Sequence, residues 1–223
     1  MDRVFRKLHL GCFDQAYYGW VNTDVTPHIF MSRIPGLPLI LFKIGFLSRQ
    51  RYKQYKQGIF HSIRYLNVTK RFPYDDATFD YVFSSHLLEH LYYHQAIFCL
   101  SETFRVLKKG GVVRIGVPDL DKIVQNYDSK YPENFLEAIF ESKQKYNKNK
   151  HHWYYNETSL TKLLEKTGHI RRYRSRRLRR RQPGPLPPLR CCQLLALCLR
   201  PAATGHPAAR KIPLRYPLCT RDQ

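Results

Sequence analysis

The chain has 223 residues, enough for one ordinary domain with or without an extension, and 43% hydrophobic and 14% aromatic content is sufficient for a core. The N-terminus lacks the apolar segment of a signal peptide, and the apolar stretch from Ile34 to Leu47 is too short and too broken by prolines to span a bilayer. The six cysteines show no CxxC or regular spacing, so we predict no disulfide framework and no metal site, and we expect a cytoplasmic protein.

The predicted elements alternate along the first three-quarters of the chain. Apolar runs bounded by turn residues predict strands over 4–10, 20–25, 63–68, 79–84 and 112–117. Residues 28–58 are predicted as an insertion or lid that contains a helix from Arg49 to Gln57. Further helices are predicted over 94–108, 120–127 and 157–166, the first stopped by Gly110-Gly111 and the last capped by Asn156, Thr158 or Ser159. This order favours an α/β fold with a parallel sheet, helices on both faces and ligands at the carboxyl ends of the strands.

Residues 169–223 differ from the predicted core at 1–168. They hold 14 Lys and Arg against one acid, a net +13 of the total +21, and the run Arg171–Arg181 contains eight arginines. Eight of the 14 prolines also lie here, so we expect a basic, disordered tail and a sheet that lacks its last two strands. One hypothesis is a frameshift near codon 169, because CGN arginine codons shifted by one base read as GNN codons. An alternative is that the arginine run binds nucleic acid through phosphates.

Two residues at strand ends indicate a nucleotide site. The first strand ends in Gly11, which permits a tight turn beside a ligand. Asp24 lies 13 residues later at the end of the second strand, where a carboxylate would accept hydrogen bonds from both ribose hydroxyls of an adenosine. The alternative is that Asp24 forms a turn with Thr26-Pro27.

The middle of the chain resembles the class I methyltransferases, in the subgroup called methyltransferase type 11. The resemblance covers about residues 4–168 and rests on ordered motifs: Phe72-Pro73, Asp75-Asp76 and Phe79-Asp80 before and in the fourth strand, Glu89-His90 at the start of the next helix, Phe104–Gly111 before the fifth strand, and Val117-Pro118-Asp119 at its end.

This resemblance implies a Rossmann-like class I fold that binds S-adenosylmethionine. Gly11 and Cys12 would face the amino-acid end of the cofactor, Asp24 would hold the ribose, Asn67 and Val68 would border the adenine, and Ser84, Ser85 and His86 would lie near the methyl group. The family fingerprint has a second glycine where this chain has Phe13, whose side chain would crowd the cofactor. A degenerate, inactive family member is therefore an alternative.

His86, Glu89 and His90 are the candidate catalytic residues, as bases for an acceptor that must lose a proton. The alternative is a structural role, because the N-terminus of a helix stabilises acidic groups. The same residues match H-x-x-E-H, a zinc-protease motif, so a zinc hydrolase is a further alternative. The sequence does not identify the methyl acceptor.

Overall fold

A seven-stranded sheet organises the part of the chain that the structure describes. The computed structural model describes residues 5–140 and 150–167, together with the backbone of 170–171 and 194–201. The strand order is β3-β2-β1-β4-β5-β7-β6. β1 to β5 run parallel to one another, and β7 pairs antiparallel with both β5 and β6. The strands are β1 Lys7–Leu10, β2 Val21–Asp24, β3 Arg64–Tyr65, β4 Phe79–Ser85, β5 Leu107–Pro118, β6 Ile170–Arg171 and β7 Leu194–Pro201.

The predicted α/β fold class is confirmed by the five parallel strands, each of which overlaps a predicted one. The third strand is shorter than predicted, with only two residues. The fifth is longer, because it begins at Leu107 rather than after the glycine pair.

The helices fall between these strands. They are α1 His28–Met31, α2 Leu37–Lys43, α3 Arg49–Lys56, α4 Tyr93–Val106, α5 Leu120–Gln125, α6 Pro132–Phe140 and α7 Glu157–Thr167, with 3-10 turns at Phe60–Ser62 and Leu88–His90. Residues 28–58, predicted as an insertion or lid, thus supply most of the connection from β2 to β3. Among the residues that the structure describes, no helix combines the length and apolar composition needed to cross a membrane.

Two predicted helix boundaries are wrong. Gly110 and Gly111 do not stop α4, which ends at Val106, because Leu107 already has extended backbone angles. The glycines lie inside β5, where Gly110 adopts a φ of +76° and a Cβ on Gly111 would come within 2.9 Å of Leu107. Glu89 and His90 do not open α4 either, since they form the 3-10 turn before it.

The last two strands are present, so the prediction that they are missing is wrong. Six residue pairs join β5 to β7, from Val113 opposite Leu199 to Pro118 opposite Leu194. Residues 194–199, Leu-Leu-Ala-Leu-Cys-Leu, form a continuous apolar run, which is the pattern of a strand inside a sheet. The composition of the whole tail, dominated by Arg and Pro, concealed this run. The arginines from Arg172 to Arg181 lie outside the described residues, and the frameshift stays a prediction about the gene.

Alternation along the strands separates two faces of the sheet. Leu8 and Leu10 belong to the main core, which also contains buried residues of α4 and α7. His9 lies between them on the opposite side, where its ring is 4.9 Å from the Phe83 ring and 5.1 Å from the Tyr17 ring.

α7 begins at the predicted cap Asn156, whose Oδ1 accepts the Ser159 N–H at 2.9 Å while Ser159 Oγ accepts the Asn156 N–H.

The turn before β4 is bound to α4 by one arginine. Arg105 donates to the carbonyls of Phe72 and Tyr74 and to the carboxylates of Asp76 and Glu102. The Phe72–Asp76 segment that resembles the family motif therefore has a structural role here, at the amino end of β4 and away from the edge where ligands bind.

Candidate active site

A left-handed turn follows β1. Gly11 has a φ of +65° and Phe13 a φ of +45°, a region that favours glycine. Cys12, between them, is buried and donates its N–H to the Thr23 carbonyl at 3.0 Å, which ties the turn to β2. Burial, with the Asp24 carboxylate nearby, raises the pKa of the Cys12 thiol, so this thiol stays protonated at neutral pH.

Asp24 is fixed at the end of β2 by backbone donors. Its Oδ2 accepts the Phe13 N–H at 2.9 Å, and its Oδ1 accepts the Thr26 N–H at 2.8 Å. Asp24 therefore forms the predicted turn with Thr26. Its half-buried carboxylate also lies beside the turn that follows β1.

Phe13 packs against α3. The Arg51 guanidinium carbon lies 4.7 Å from the centre of the Phe13 ring, an arrangement that favours a cation–π contact. Asp14 anchors the same helix, because its Oδ2 accepts from Gln54 at 2.9 Å and from Arg51 at 3.3 Å. These contacts bring part of the 28–58 segment to the turn after β1.

Asn67 and Val68 follow β3. Asn67 Oδ1 accepts from both the backbone N–H and the hydroxyl of Thr69, at 2.9 and 2.8 Å. Val68 is buried in the main core. The Asn67 carbonyl accepts the Lys70 N–H, which completes a tight turn at this end of the strand.

The end of β4 holds a serine with no partner. The Ser84 hydroxyl is buried and has no hydrogen-bond partner, and Ser85 is half-buried beside it. His86 then reverses the chain with a φ of +52°, and its N–H is held by the Gly116 carbonyl of β5 at 3.1 Å.

Glu89 is the most unusual side chain at this edge. It is 0% exposed, and neither carboxylate oxygen has a hydrogen-bond partner. His86 Nδ1 approaches Glu89 Oε1 to 3.2 Å as an ion-pair contact that lacks hydrogen-bond geometry. A buried carboxylate without hydrogen-bond donors lowers the stability of the folded chain.

Residues 150–155, which sequence reasoning missed, complete this side of the site. The Glu89 carbonyl accepts the N–H groups of His152 and Trp153, and His90 Nδ1 lies 3.3 Å from the Lys150 carbonyl. Tyr155 is buried, its hydroxyl has no partner, and burial together with the Glu89 charge raises its pKa. The only sequence signal was the dense His-His-Trp-Tyr-Tyr run before α7.

The structure does not form the helix that the zinc-protease motif requires. That motif needs His86 and His90 on successive turns of one helix. Here His86 has a left-handed backbone, and Leu88–His90 is a single 3-10 turn.

Residues 45–115 match the family model described as a methyltransferase domain. This match extends from just before α3 into β5, and the strand order and five parallel strands agree with it. The match covers 71 of the 223 residues, and the described sheet has the Rossmann-like arrangement of the class I methyltransferase fold. Gly11 and Asp24 lie before the matched residues.

Solved structures similar to this chain have low sequence identity. A chain of the Haloferax volcanii complex between the Trm112 methyltransferase activator and a candidate methyltransferase is 13% identical, with 92% of this chain and 86% of that chain covered and a TM-score of 0.50. A Pyrococcus horikoshii protein is 14% identical over 89% and 82% of the two chains, with a TM-score of 0.48. A Thermotoga maritima protein described as a possible histamine N-methyltransferase is 14% identical over 89% and 83%, with a TM-score of 0.44. The search of curated proteins found no match.

Proposed function

We propose that this protein transfers the methyl group of S-adenosylmethionine to an acceptor bound beyond the end of β4. One observation carries the proposal: the Asp24 carboxylate is fixed at the carboxyl end of β2, directly beside the left-handed turn Gly11–Phe13. A carboxylate at this position of an α/β sheet is placed to accept hydrogen bonds from ribose hydroxyls.

The residues present fit this cofactor. Asp24 oxygens each accept one backbone N–H, so each retains a lone pair for a ribose hydroxyl. We assign Gly11 and Cys12 to the amino-acid end, Asn67 and Val68 to the adenine border, and Ser84 and Ser85 to the methyl side. The unpartnered Ser84 hydroxyl supports this assignment, because a bound ligand would satisfy it. When bound, the cofactor supplies a methyl group already activated by the sulfonium.

The protein's remaining task is to orient the acceptor and, where needed, to take its proton. His86 is half exposed at the end of β4, with Nδ1 3.2 Å from the buried Glu89 carboxylate. A carboxylate behind a histidine orients the ring and stabilises its protonated form. We therefore assign His86 as the base and Glu89 as its positioning residue, while His90, held at Lys150, lies beside them.

The acceptor side is bounded by two segments. α3 lies over the turn after β1 through Arg51 and Gln54, in keeping with the predicted lid. Residues 150–155 lie against Glu89 on the other side. The proposal includes the cytoplasmic setting, where the buried free thiols of Cys12 and Cys99 would stay reduced.

Calorimetric titration of the full chain with S-adenosylmethionine tests the cofactor assignment. Asp24→Asn keeps the shape of the side chain and removes its charge, so we expect binding by the native chain and at least about tenfold weaker binding by this variant. Asp75→Asn is the matched control, because Asp75 is an exposed residue in the turn before β4, at the opposite edge of the sheet.

Equal affinity of the native and Asp24→Asn chains would place the cofactor elsewhere, and no binding by the native chain would favour the degenerate alternative.

Where the cofactor binds, release of S-adenosylhomocysteine with panels of hydroxyl, amine and carboxylate compounds identifies the acceptor class. His86→Asn should then lower kcat while leaving cofactor affinity unchanged.

A further inference from the structure

We infer that Glu89, His90 and His151 form a binding site for one divalent transition-metal ion of the zinc type. One ligand atom from each of the three side chains lies within 4.8 Å of the other two. The inference does not depend on methyl transfer, and it replaces the ligand set of the sequence motif, since His151 takes the place of His86.

The buried carboxylate is the first argument. Glu89 is 0% exposed and neither oxygen has a hydrogen-bond partner, although such groups are normally paired or bound to metal. The contact of one oxygen with His86 leaves the second to face another ligand. A cation bound to that oxygen would compensate the charge that the protein has removed from water.

The hydrogen bonds of the two histidines are the second argument. His90 Nδ1 lies 3.3 Å from the Lys150 carbonyl, which only accepts, so this nitrogen carries the proton. His151 Nδ1 lies 3.1 Å from the Tyr154 hydroxyl, whose own proton is directed to the carbonyls of Ile139 and Ala138, at 2.6 and 3.0 Å. His151 Nδ1 is therefore the donor, and in both neutral rings the lone pair is on Nε2.

This pattern is the one that metal-binding histidines use. A histidine ligand usually donates its second N–H to a carbonyl or other acceptor, which fixes the ring and strengthens the metal bond. Two imidazoles and one carboxylate form a common ligand set for zinc, with the fourth position open to water or substrate. Metal–ligand bonds of about 2.0 to 2.2 Å require donors closer than 4.8 Å, so binding would draw the side chains together. His90 and His151 are both half-buried.

The proposed metal site lies between two segments that are far apart in the sequence. Glu89 and His90 follow β4, whereas His151 belongs to the segment that leads to α7. A bound ion would crosslink these segments at the proposed acceptor side and stabilise the folded chain.

Zinc titration by calorimetry tests the inference on the full chain. Because thiolates also bind zinc, the titration uses a background in which Cys191, Cys192, Cys198 and Cys219 are replaced by serine. We expect one ion per chain, with affinity lowered about 100-fold or more by His90→Ala or His151→Ala, since even outer-shell changes cost about 10- to 100-fold. His61→Ala, at an exposed histidine on the Phe60–Ser62 turn, should leave binding unchanged.

A second measurement covers the case in which a variant or the serine background does not fold. Cobalt absorption of the unsubstituted chain reports the ligand type, because thiolates add a charge-transfer band that histidine and carboxylate ligands lack. A cobalt spectrum without that band, lost in Glu89→Gln, supports the site. No ion bound by the native chain, or the same affinity in His61→Ala, His90→Ala and His151→Ala, overturns it.

Discussion

At the carboxyl ends of β1 and β2, both oxygens of Asp24 accept backbone N–H groups, whereas beyond β4 the oxygens of Glu89 accept none. Ser84 and Tyr155, on the same side as Glu89, also have buried hydroxyls without partners. In the first region, the β1–β2 edge, the carboxylate oxygens therefore have hydrogen-bond partners within the protein. In the second region, the β4 edge, these buried polar groups have no hydrogen-bond partners.

The two edges therefore differ in how their polar groups are held before a ligand binds. The β1–β2 edge is held in place before any ligand arrives, so a cofactor would meet a fixed carboxylate. The β4 edge keeps polar groups out of water at a cost to stability, which is common where function requires them. Four predictions follow from this comparison, in order of decreasing expected effect.

Acid should destabilise the protein through His9, which lies on β1. Burial lowers the pKa of His9 to about 4, although the hydrogen bond that His9 Nδ1 makes to the Asn22 Oδ1 acceptor partly opposes this shift. Between pH 6.5 and about 4 the unfolded chain binds the extra proton, so stability is lost as the pH falls, by about 3 kcal/mol over the window. Urea unfolding at pH 7 and pH 4.5 measures this loss.

His9→Phe keeps a ring between Tyr17 and Phe83 but removes the titration. The variant should lose distinctly less stability than the native chain over the same pH interval. An equal loss in both chains would assign the acid sensitivity to other groups.

Removing the Asp24 carboxylate should destabilise the β1–β2 edge. Asp24→Ala loses two charge-assisted hydrogen bonds to backbone N–H groups, and we expect the free energy of unfolding to fall by about 2 kcal/mol. Asp75→Ala serves as the control, with a change below about 0.5 kcal/mol. Equal changes for the two variants would mean that Asp24 does not organise the turn.

Removing the Glu89 carboxylate should have the opposite sign. Glu89→Met exchanges a buried, unpartnered carboxylate for an apolar side chain of similar length, so we expect the metal-free protein to gain about 1 kcal/mol. Thermal unfolding in the presence of a chelator measures this change in stability. A loss of stability comparable to that of Asp24→Ala would remove the distinction between the two edges.

Replacing Phe13 by glycine should have the smallest effect on stability. Relief of the left-handed backbone is worth about 1 kcal/mol, but the contact with Arg51 is lost, so the net change should be below about 1 kcal/mol. Affinity for S-adenosylmethionine should rise several-fold, because the backbone becomes more accessible. Ala77→Gly relieves a similar φ of +51° before β4 and should leave cofactor affinity unchanged. A fall in affinity for Phe13→Gly would mean that the ring contributes to the site.

The amino-acid sequence by itself determined the α/β class, the five parallel strands and the positions of Gly11 and Asp24 at strand ends. These features depend on local signals: apolar runs, turn residues and the order of motifs. The β7 strand was missed because its apolar run is surrounded by arginine and proline, and only pairing with β5 makes it part of the sheet.

Only the tertiary structure decided how the β4 edge is built. His86, Glu89 and His90 are adjacent in sequence, yet His151, about 60 residues further on, is the side chain that joins Glu89 and His90. Likewise, the burial of Glu89 and the missing partners of Ser84 and Tyr155 depend on segments that meet only after folding. The physical reason is that burial and hydrogen bonding are properties of a complete environment, whereas periodicity and turn chemistry are properties of a few consecutive residues.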